Sequence, residues 1–432
     1  MAQAKRPVAV DLFAGVGGLS LGLEQAGFDI AAAVEFDPIH AATHELNFPD
    51  TPVICESVRD LTGCEIRARA GLGNRTVDAL VGGPPCQGFS LIGHRVLSDP
   101  RNDLVFHFLR LVEELRPRTF VMENVPGMAT GGHTALLSEL ISRFQQAGYK
   151  VRTPYQILNA ANYGVPQNRR RLFLLGARQD TKLPSYPQAL TRILGKENEP
   201  TNLPVAPSVG DALSDMPGIE EYPELFSSDR IKVSLRGGTS YARTLRGEQA
   251  DETDFSYSRE RSNALLTGCG RAKHSTLSKS RFRSTTPGET EPISRFFRLP
   301  KDGLCNTLRA GTASDRGAFS APRPIHPEKP RCISVREAAR LHSYPDWFQF
   351  HSTIWHGFRQ IGNSVPPRLG RAVGRSLVEA LGVRPEKPKN SLKMVSEEKA
   401  FMNMRDAEKY FRLDHRPISQ RRRLDPQVAA TL

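Results

Sequence analysis

The sequence has no CxxC pair, no internal repeat and no apolar run near the ~18 residues of a membrane span. Its six cysteines, Cys55, Cys64, Cys86, Cys269, Cys305 and Cys332, lie far apart in a chain of 432 residues, which argues against a zinc knuckle and against a disulfide framework. A reducing cytoplasm is the simplest setting, and no metal site is expected. The amino-terminal stretch has neither the apolar length nor the small-residue cleavage site of a signal peptide. Acidic side chains are also in deficit, 46 Asp and Glu against 59 Lys and Arg, for a formal charge of +13. Such an excess favours a polyanionic partner such as nucleic acid over an acidic small molecule, although solubility alone can produce it.

What is present reads first as an α/β domain. From Val8 to about Met216, short β-branched runs alternate with longer amphipathic stretches, the trace of strand and helix units around a parallel sheet. Val8 to Asp11, Ile30 to Val34, Ala79 to Val81, Thr119 to Met122 and Arg171 to Leu175 are expected strands. Leu19 to Ala26, Pro38 to Asn47, Asp103 to Leu115 and Thr134 to Ala147 are expected helices. The fold class that follows is a doubly wound, Rossmann-like sheet with its site at the carboxyl ends of the strands.

From Glu221 to Pro330 the composition shifts to Gly, Ser, Thr, Pro and Arg, with 19 basic and 13 acidic residues. Tyr241, Phe255, Tyr257, Phe282, Phe296, Phe297 and Phe319 can supply a small core, so a loop-rich second domain is expected there rather than a disordered insertion. Helical patterning returns at Ser334, where Ser-Val-Arg-Glu starts like a capping box, and again from Arg368 to Leu381. The expected division is therefore 1–220 completed by 331–382, a separate domain over 221–330, and a basic, loosely ordered tail over 383–432.

Four motifs carry chemistry. Asp11-Leu12-Phe13-Ala14-Gly15-Val16-Gly17-Gly18 is a glycine-rich turn between strand and helix, and Glu35 follows Gly15 by twenty residues at the next strand end, where a carboxylate can accept from ribose hydroxyls. Taken alone this fits any nucleoside cofactor or a purely structural turn, and Ser20 stands where GxGxxG has its third glycine. Gly82-Gly83-Pro84-Pro85-Cys86-Gln87-Gly88-Phe89-Ser90 opens at the same sheet edge, and its prolines and glycines shape a rigid polar loop around Cys86. That setting suits a nucleophile better than a buried core thiol. Glu123 ends a third strand, where it is either an acid of the site or a solvated loop carboxylate. In Gln167-Asn168-Arg169-Arg170-Arg171, Arg169 and Arg171 share one strand face, where they are either solvated or able to clamp anionic groups and favour thiolate.

Together with Arg-Glu-Ala-Ala-Arg-Leu at 336–341 and Gln-Ile-Gly-Asn-Ser-Val-Pro-Pro at 360–367, these motifs resemble, in order and spacing, the DNA cytosine-5 methyltransferases over about residues 8–382. The resemblance implies the class I S-adenosylmethionine-dependent methyltransferase fold, with 221–330 as target recognition domain. It implies that Phe13, Gly15 and Gly17 line the S-adenosylmethionine pocket, that Glu35 binds the ribose and Asp60 the adenine amino group, and that Asn363 and Val365 are further cofactor contacts. It further implies Cys86 as nucleophile, Glu123 as the acid beside the target ring, and Arg169 and Arg171 as the pair that steadies base and phosphate. Thr307-Leu308 resembles the Thr-Leu pair of the recognition domain and makes Thr307 a candidate DNA contact, although Cys305-Asn306 depart from the family's usual preceding proline.

The expected activity is transfer of a methyl group to carbon 5 of a flipped cytosine in double-stranded DNA, as the modification enzyme of a restriction-modification system. A thiolate at carbon 6 is needed because carbon 5 is a poor nucleophile unaided, and the ring must leave the stack to be reached. The residues name no base for the carbon 5 proton; a water can take it. A tRNA cytosine-5 methyltransferase shares the catalytic groups but carries a shorter recognition region. A catalytically silent DNA-binding regulator has no use for Cys86, Glu123 and Arg171, and a nicotinamide-dependent dehydrogenase gives no work to the Pro-Pro-Cys loop. A monomer in a bacterial cytoplasm or nucleoid is expected. The target sequence is not legible, because loop side chains follow no transferable code.

Overall fold

The computed structural model describes residues 6–85, 103–131, 133–196, 200–260, 265–311, 323–394 and 396–414. Its centre is an eight-stranded sheet. Strands β1 (Val8–Leu12), β2 (Asp29–Val34), β3 (Val53–Ile54), β4 (Ala79–Gly82) and β5 (Thr119–Asn124) are parallel in the order β3-β2-β1-β4-β5. Strands β6 (Tyr149–Val151), β7 (Gln156–Asn159) and β8 (Arg170–Arg178) close the sheet, β8 lying antiparallel to β5, β6 and β7. The expected parallel order thus ends at β5. No helix crosses over between β6, β7 and β8, and without a crossover neighbouring strands reverse.

Alternate residues of each strand serve opposite faces, as a doubly covered sheet requires. Val10, Leu12, Leu80, Phe120, Met122, Leu172 and Leu174 face one core, and Ala9, Ala79, Val81, Val121, Phe173 and Leu175 the other. The first core is covered by α3 (Gly63–Arg69), α4 (Asp103–Leu115) and α5 (His133–Gln146), the second by α1 (Gly18–Ala26), while α2 (Pro38–Asn47) follows β2 with Asp37 as N-cap and Pro38 at its first position.

The rest of the described chain adds α6 (Val209–Leu213), α7 (Ser240–Arg246), α8 (Thr276–Ser284), α9 (Val335–Leu341), α10 (Ile354–Asn363), α11 (Pro367–Leu381) and α12 (Met404–Tyr410). The capping box opening α9 is present: Ser334 accepts from the Glu337 backbone N–H and Glu337 accepts from the Ser334 N–H. Helix α11 returns to α1, so close that a Cβ on Gly22 would stand 2.7 Å from the Gly370 Cα. The apolar core does not break at 330 as expected. Ile333, Val335, Leu341 and Phe358 pack in one cluster with Tyr241, Leu245, Leu299 and Leu308, and this cluster reaches Val16, Leu21 and Phe48 beside the sheet.

Arg336 and Arg340, one turn apart on α9, are both fully buried. Arg336 donates to the carbonyls of Thr267 (2.9 Å) and Phe348 (2.7 Å), and Arg340 pairs with Asp215 and Asp346, which fastens the 209–267 region to α9. The tail departs from expectation through residue 414. Its segment 391–393 forms β12 (Ser391–Lys393) beside β10 (Ser258–Glu260), while β9 (Ile231–Lys232) pairs with β11 (Leu265–Leu266). Farther on, Lys399 Nζ and Tyr410 Oη both donate to one Glu45 oxygen on α2, at 2.6 and 3.0 Å, and Ala400 and Ala407 are buried. The small apolar side chains between the charges are what hold this segment down. Arg421, Arg422 and Arg423 lie outside the described residues.

Candidate active site

The strand order reverses direction between β1 and β4, and Leu12, Val34, Gly82 and Met122 are register neighbours at the carboxyl edge. A doubly wound sheet opens a ligand crevice at such a switch point. There the chain leaves β1 through Phe13, Gly15 and Gly17, all with positive φ (58°, 56° and 96°). A side chain is rare in this region and costs about 1–3 kcal/mol when it is not glycine, so Phe13 is held there by its surroundings. At Gly17 a Cβ would overlap the Phe48 ring, whereas at Gly15 nothing lies within 4 Å and the turn is open.

Glu35 directly follows β2 and is clamped beneath that turn. One carboxylate oxygen accepts from Gly15 N at 2.7 Å, the other from Asp37 N at 2.8 Å, and burial pushes its pKa up. His44 on α2 meets the Gly15 carbonyl through Nδ1 at 3.2 Å, and burial lowers its pKa to about 4, so it is neutral. Behind the turn Asp11 is buried, accepts from Ser20 Oγ at 2.6 Å, and is pushed up to about 7 by that burial. Val365 lies against the start of α1, its carbonyl where a Cβ on Gly18 would stand, while Asn363 ends α10 on the surface. Asp60 is exposed in the 57–61 turn beyond β3, which Arg110 of α4 fastens through the Val58 and Leu61 carbonyls at 2.7 and 2.9 Å. The turn, Glu35 and Val365 therefore meet at the switch point, with Asp60 farther along the edge.

The second half of the site lies at the ends of β4 and β5. Glu123 pairs in register with Phe173, which puts it diagonal to Arg171, two residues away on the same face of β8. Arg171 Nε contacts Glu123 Oε1 at 2.8 Å, and both side chains are 13% exposed. Burial raises the Glu123 pKa, while the charges of Arg171 and Arg169 act to lower it. The loop after β4 is pinned to the same corner. A Cβ on Gly83 would stand 2.8 Å from Glu123 Oε2, and Asn124 Nδ2 donates to the Pro84 carbonyl at 3.1 Å. Cys86 itself lies outside the described residues, two positions after this pinned proline.

Arg169, expected beside the base with Arg171, is placed differently. It is 1% exposed, and its guanidinium donates to the main-chain carbonyls of Leu308 (2.9 Å), Gly362 (2.8 Å) and Ser364 (2.9 Å). Its surroundings make it part of the wall behind Glu123 rather than a group open to a ligand. Thr307 Oγ1 donates to the Asn168 carbonyl at 2.8 Å, and Cys305 bonds the 166–168 strip through its main chain, its carbonyl accepting from Asn168 N at 2.8 Å and its N–H donating to the Pro166 carbonyl at 2.9 Å. Gln167, His44 and Asn124 were not singled out from the sequence. Gln167 lies in a quoted motif and could have been found as the polar residue preceding a buried strand.

The family model for C-5 cytosine-specific DNA methylases matches residues 8–379. The Type II methyltransferase M.XorII of Xanthomonas oryzae pv. oryzae is 53% identical over 418 residues, covering 97% of this chain and 95% of that one. The Type II methyltransferase M.AgeI of Thalassovita gelatinovora is 31% identical, covering 86% and 99%. Among solved structures, one described as a DNA modification methyltransferase encoded within an E. coli prophage superposes with a TM-score of 0.69 at 33% identity, covering 87% of this chain and 99% of that one. The Dnmt2 methyltransferase of S. pombe, at 16% identity and a TM-score of 0.51, covering 87% and 100%, shares the fold. The chain therefore belongs to the C-5 cytosine-specific DNA methylase family and is a DNA cytosine-5 methyltransferase.

Proposed function

We propose that this enzyme methylates a cytosine swung out of duplex DNA at a specific sequence, using Cys86 as a covalent nucleophile and S-adenosylmethionine as methyl donor. The observation that carries the reading is the corner where Arg171, Glu123 and the Gly83-Pro84 turn meet, because it fixes the base of the Cys86 loop against a buried carboxylate. The glycine turn fits a nucleoside donor. It is open at Gly15, and Glu35, held by two main-chain N–H groups, keeps a second lone pair on each oxygen for ribose hydroxyls. Phe13, Gly17, Asp60, Asn363 and Val365 complete that proposed pocket.

Bound S-adenosylmethionine supplies an electrophilic methyl group. The protein's part is to make carbon 5 able to accept it. Cys86, as thiolate, adds to carbon 6 of the ring; a free thiol with pKa about 8.5 is only a few per cent ionised at neutral pH, and a cation held beside such a thiol raises that fraction. Charge pushed into the ring is met at nitrogen 3 by the Glu123 proton, which burial helps the carboxyl retain. Arg171 holds Glu123 in place, and Arg169 braces the wall. Once carbon 5 is methylated, departure of its proton to water expels Cys86 as thiolate, and nitrogen 3 returns its proton to Glu123.

Extruding the base costs a few kcal/mol, offset by phosphate contacts from the basic 221–330 region with a strong salt dependence. Thr307 stands at the junction of that region with the site. The Type II relatives support a role as modification enzyme of a restriction-modification system; that it acts as a monomer in a bacterial cytoplasm is part of the same proposal. The test is incubation with labelled S-adenosylmethionine and either duplex DNA or tRNA, with Cys86→Ala as control. Label in DNA as 5-methylcytosine, and none with the variant, is expected; label in tRNA alone, or undiminished label with the variant, overturns the reading.

A further inference from the structure

Two fully buried imidazoles, His44 and His342, have no part in the mechanism, and His342 joins two distant stretches of main chain. His342, just past α9, is 0% exposed and sits between Gln167 and the main chain of Ser364. Its tautomer follows from its partners. The Ser364 carbonyl can only accept, so His342 Nε2 carries the hydrogen and donates across 3.1 Å, and Nδ1 accepts from Gln167 Nε2 at 2.9 Å. Burial and the charges of Arg169 and Arg171 hold its pKa far below the usual range, in keeping with a neutral ring.

Gln167 extends the chain of bonds, since its Oε1 accepts from Leu308 N at 3.1 Å. Arg169 runs beside it, bonding the Leu308 carbonyl with one nitrogen and the Ser364 carbonyl with another, at 2.9 Å each. The peptide at Leu308 and the peptide at Ser364 are thus joined by two parallel buried routes, one through Gln167 and His342, the other through Arg169. Each end leads somewhere. Leu308 follows Thr307 at the junction with the basic region, while Ser364 and Val365 rest on Gly18 of the glycine turn.

We propose that His342 is a positioning residue that couples duplex DNA engaged beyond Thr307 to the affinity of the cofactor pocket. The inference rests on the reading that DNA and S-adenosylmethionine are the two ligands. A DNA-driven shift of Leu308 is passed to Ser364 and so to the wall of the glycine turn, and by linkage the cofactor strengthens DNA binding by the same factor.

The experiment measures the Kd of S-adenosylhomocysteine by calorimetry, with and without a duplex fragment that the wild-type enzyme labels. Wild-type protein is expected to bind it at least fivefold tighter with DNA present. His342→Asn keeps an amide near Nδ1 and loses the Ser364 bond; His342→Gln keeps one near Nε2 and loses the Gln167 bond. Each cuts the route at one end and is expected to retain less than half of the wild-type ratio, with a melting midpoint lowered only by the one buried bond it loses. A wild-type ratio of one, or a variant keeping more than half of the ratio, overturns the proposal. Hydrogen exchange of wild-type residues 362–366 needs no variant: DNA alone is expected to slow it severalfold, and unchanged exchange also overturns the coupling. An enzyme that labels DNA but shows no coupling keeps its function and loses only this inference; one that labels no DNA loses the function itself.

Discussion

Arg171 Nε lies 2.8 Å from Glu123 Oε1, joining two antiparallel strands across a diagonal pair. Because Arg171 is the nearest cation opposing the effect of burial on that carboxylate, Arg171→Met is expected to let Glu123 hold its proton to higher pH. The Glu123 limb of the pH profile of kcat/KM then moves upward and activity falls by ~10²-fold or more. A fall in activity with no movement of the limb contradicts this role.

Glu123→Gln keeps shape and polarity but has no proton to share with the ring. Loss of an acid in the transition state is worth ~10²–10⁴-fold in kcat. Steady-state kinetics are expected to show that loss, with S-adenosylhomocysteine affinity unchanged; activity within tenfold of wild type counts against the assignment.

Glu35→Ala removes a charged acceptor under the glycine turn. At about 1.5–3 kcal/mol for hydrogen bonds to a charged group, S-adenosylhomocysteine is expected to bind ~10–100-fold more weakly, while DNA mobility shifts in its absence stay as they are. Equal loss of both affinities points to general damage instead.

Asp11 is buried, accepts from Ser20 Oγ, and has its pKa raised from 3.8 to about 7. Between pH 4 and 7 the folded protein keeps a proton that the unfolded chain has released, so stability is full below that window and falls as pH rises through it. Three units correspond to ~4 kcal/mol. Asp11→Asn lacks this titration, so its melting midpoint relative to wild type is expected to rise from pH 4 to pH 8. A constant difference shows that Asp11 is not protonated in the fold.

Lys399 and Tyr410 share one oxygen of Glu45, which ties the carboxy-terminal segment to the helix beside Glu35. Lys399→Met is expected to cost about 1–2 kcal/mol in denaturant titration. No measurable change marks the segment as merely adjacent.

Much of this was legible in the sequence, for identifiable reasons. Asp37-Pro38 marks the start of α2 because a capping carboxylate and a preset φ act locally, and Ser334 with Glu337 marks α9 in the same way. Strand β8 was visible as an apolar run, but alternation does not encode direction, and the three-residue β6 and four-residue β7 are too short to register. The motif order carried the family. The roles within Gln167-Asn168-Arg169-Arg170-Arg171 were not legible, because three successive arginines read alike until their partners are known. Arg169 finds carbonyls 139 to 195 residues away, and Gln167 meets His342 across 175. The packed half of the tail was hidden for a related reason: Ala400 and Ala407 are weak apolar signals among charges.

The central claim is a bond from sulfur to carbon 6 of an extruded cytosine. It is tested most directly with duplex DNA carrying 5-fluorocytosine at the methylated position and S-adenosylmethionine present, since fluorine cannot leave as a proton and the adduct persists. The account predicts a denaturant-resistant complex whose peptide mass locates the attachment at Cys86 and which Cys86→Ala does not form. Attachment at another residue, or no complex from enzyme that methylates the unfluorinated duplex, contradicts it.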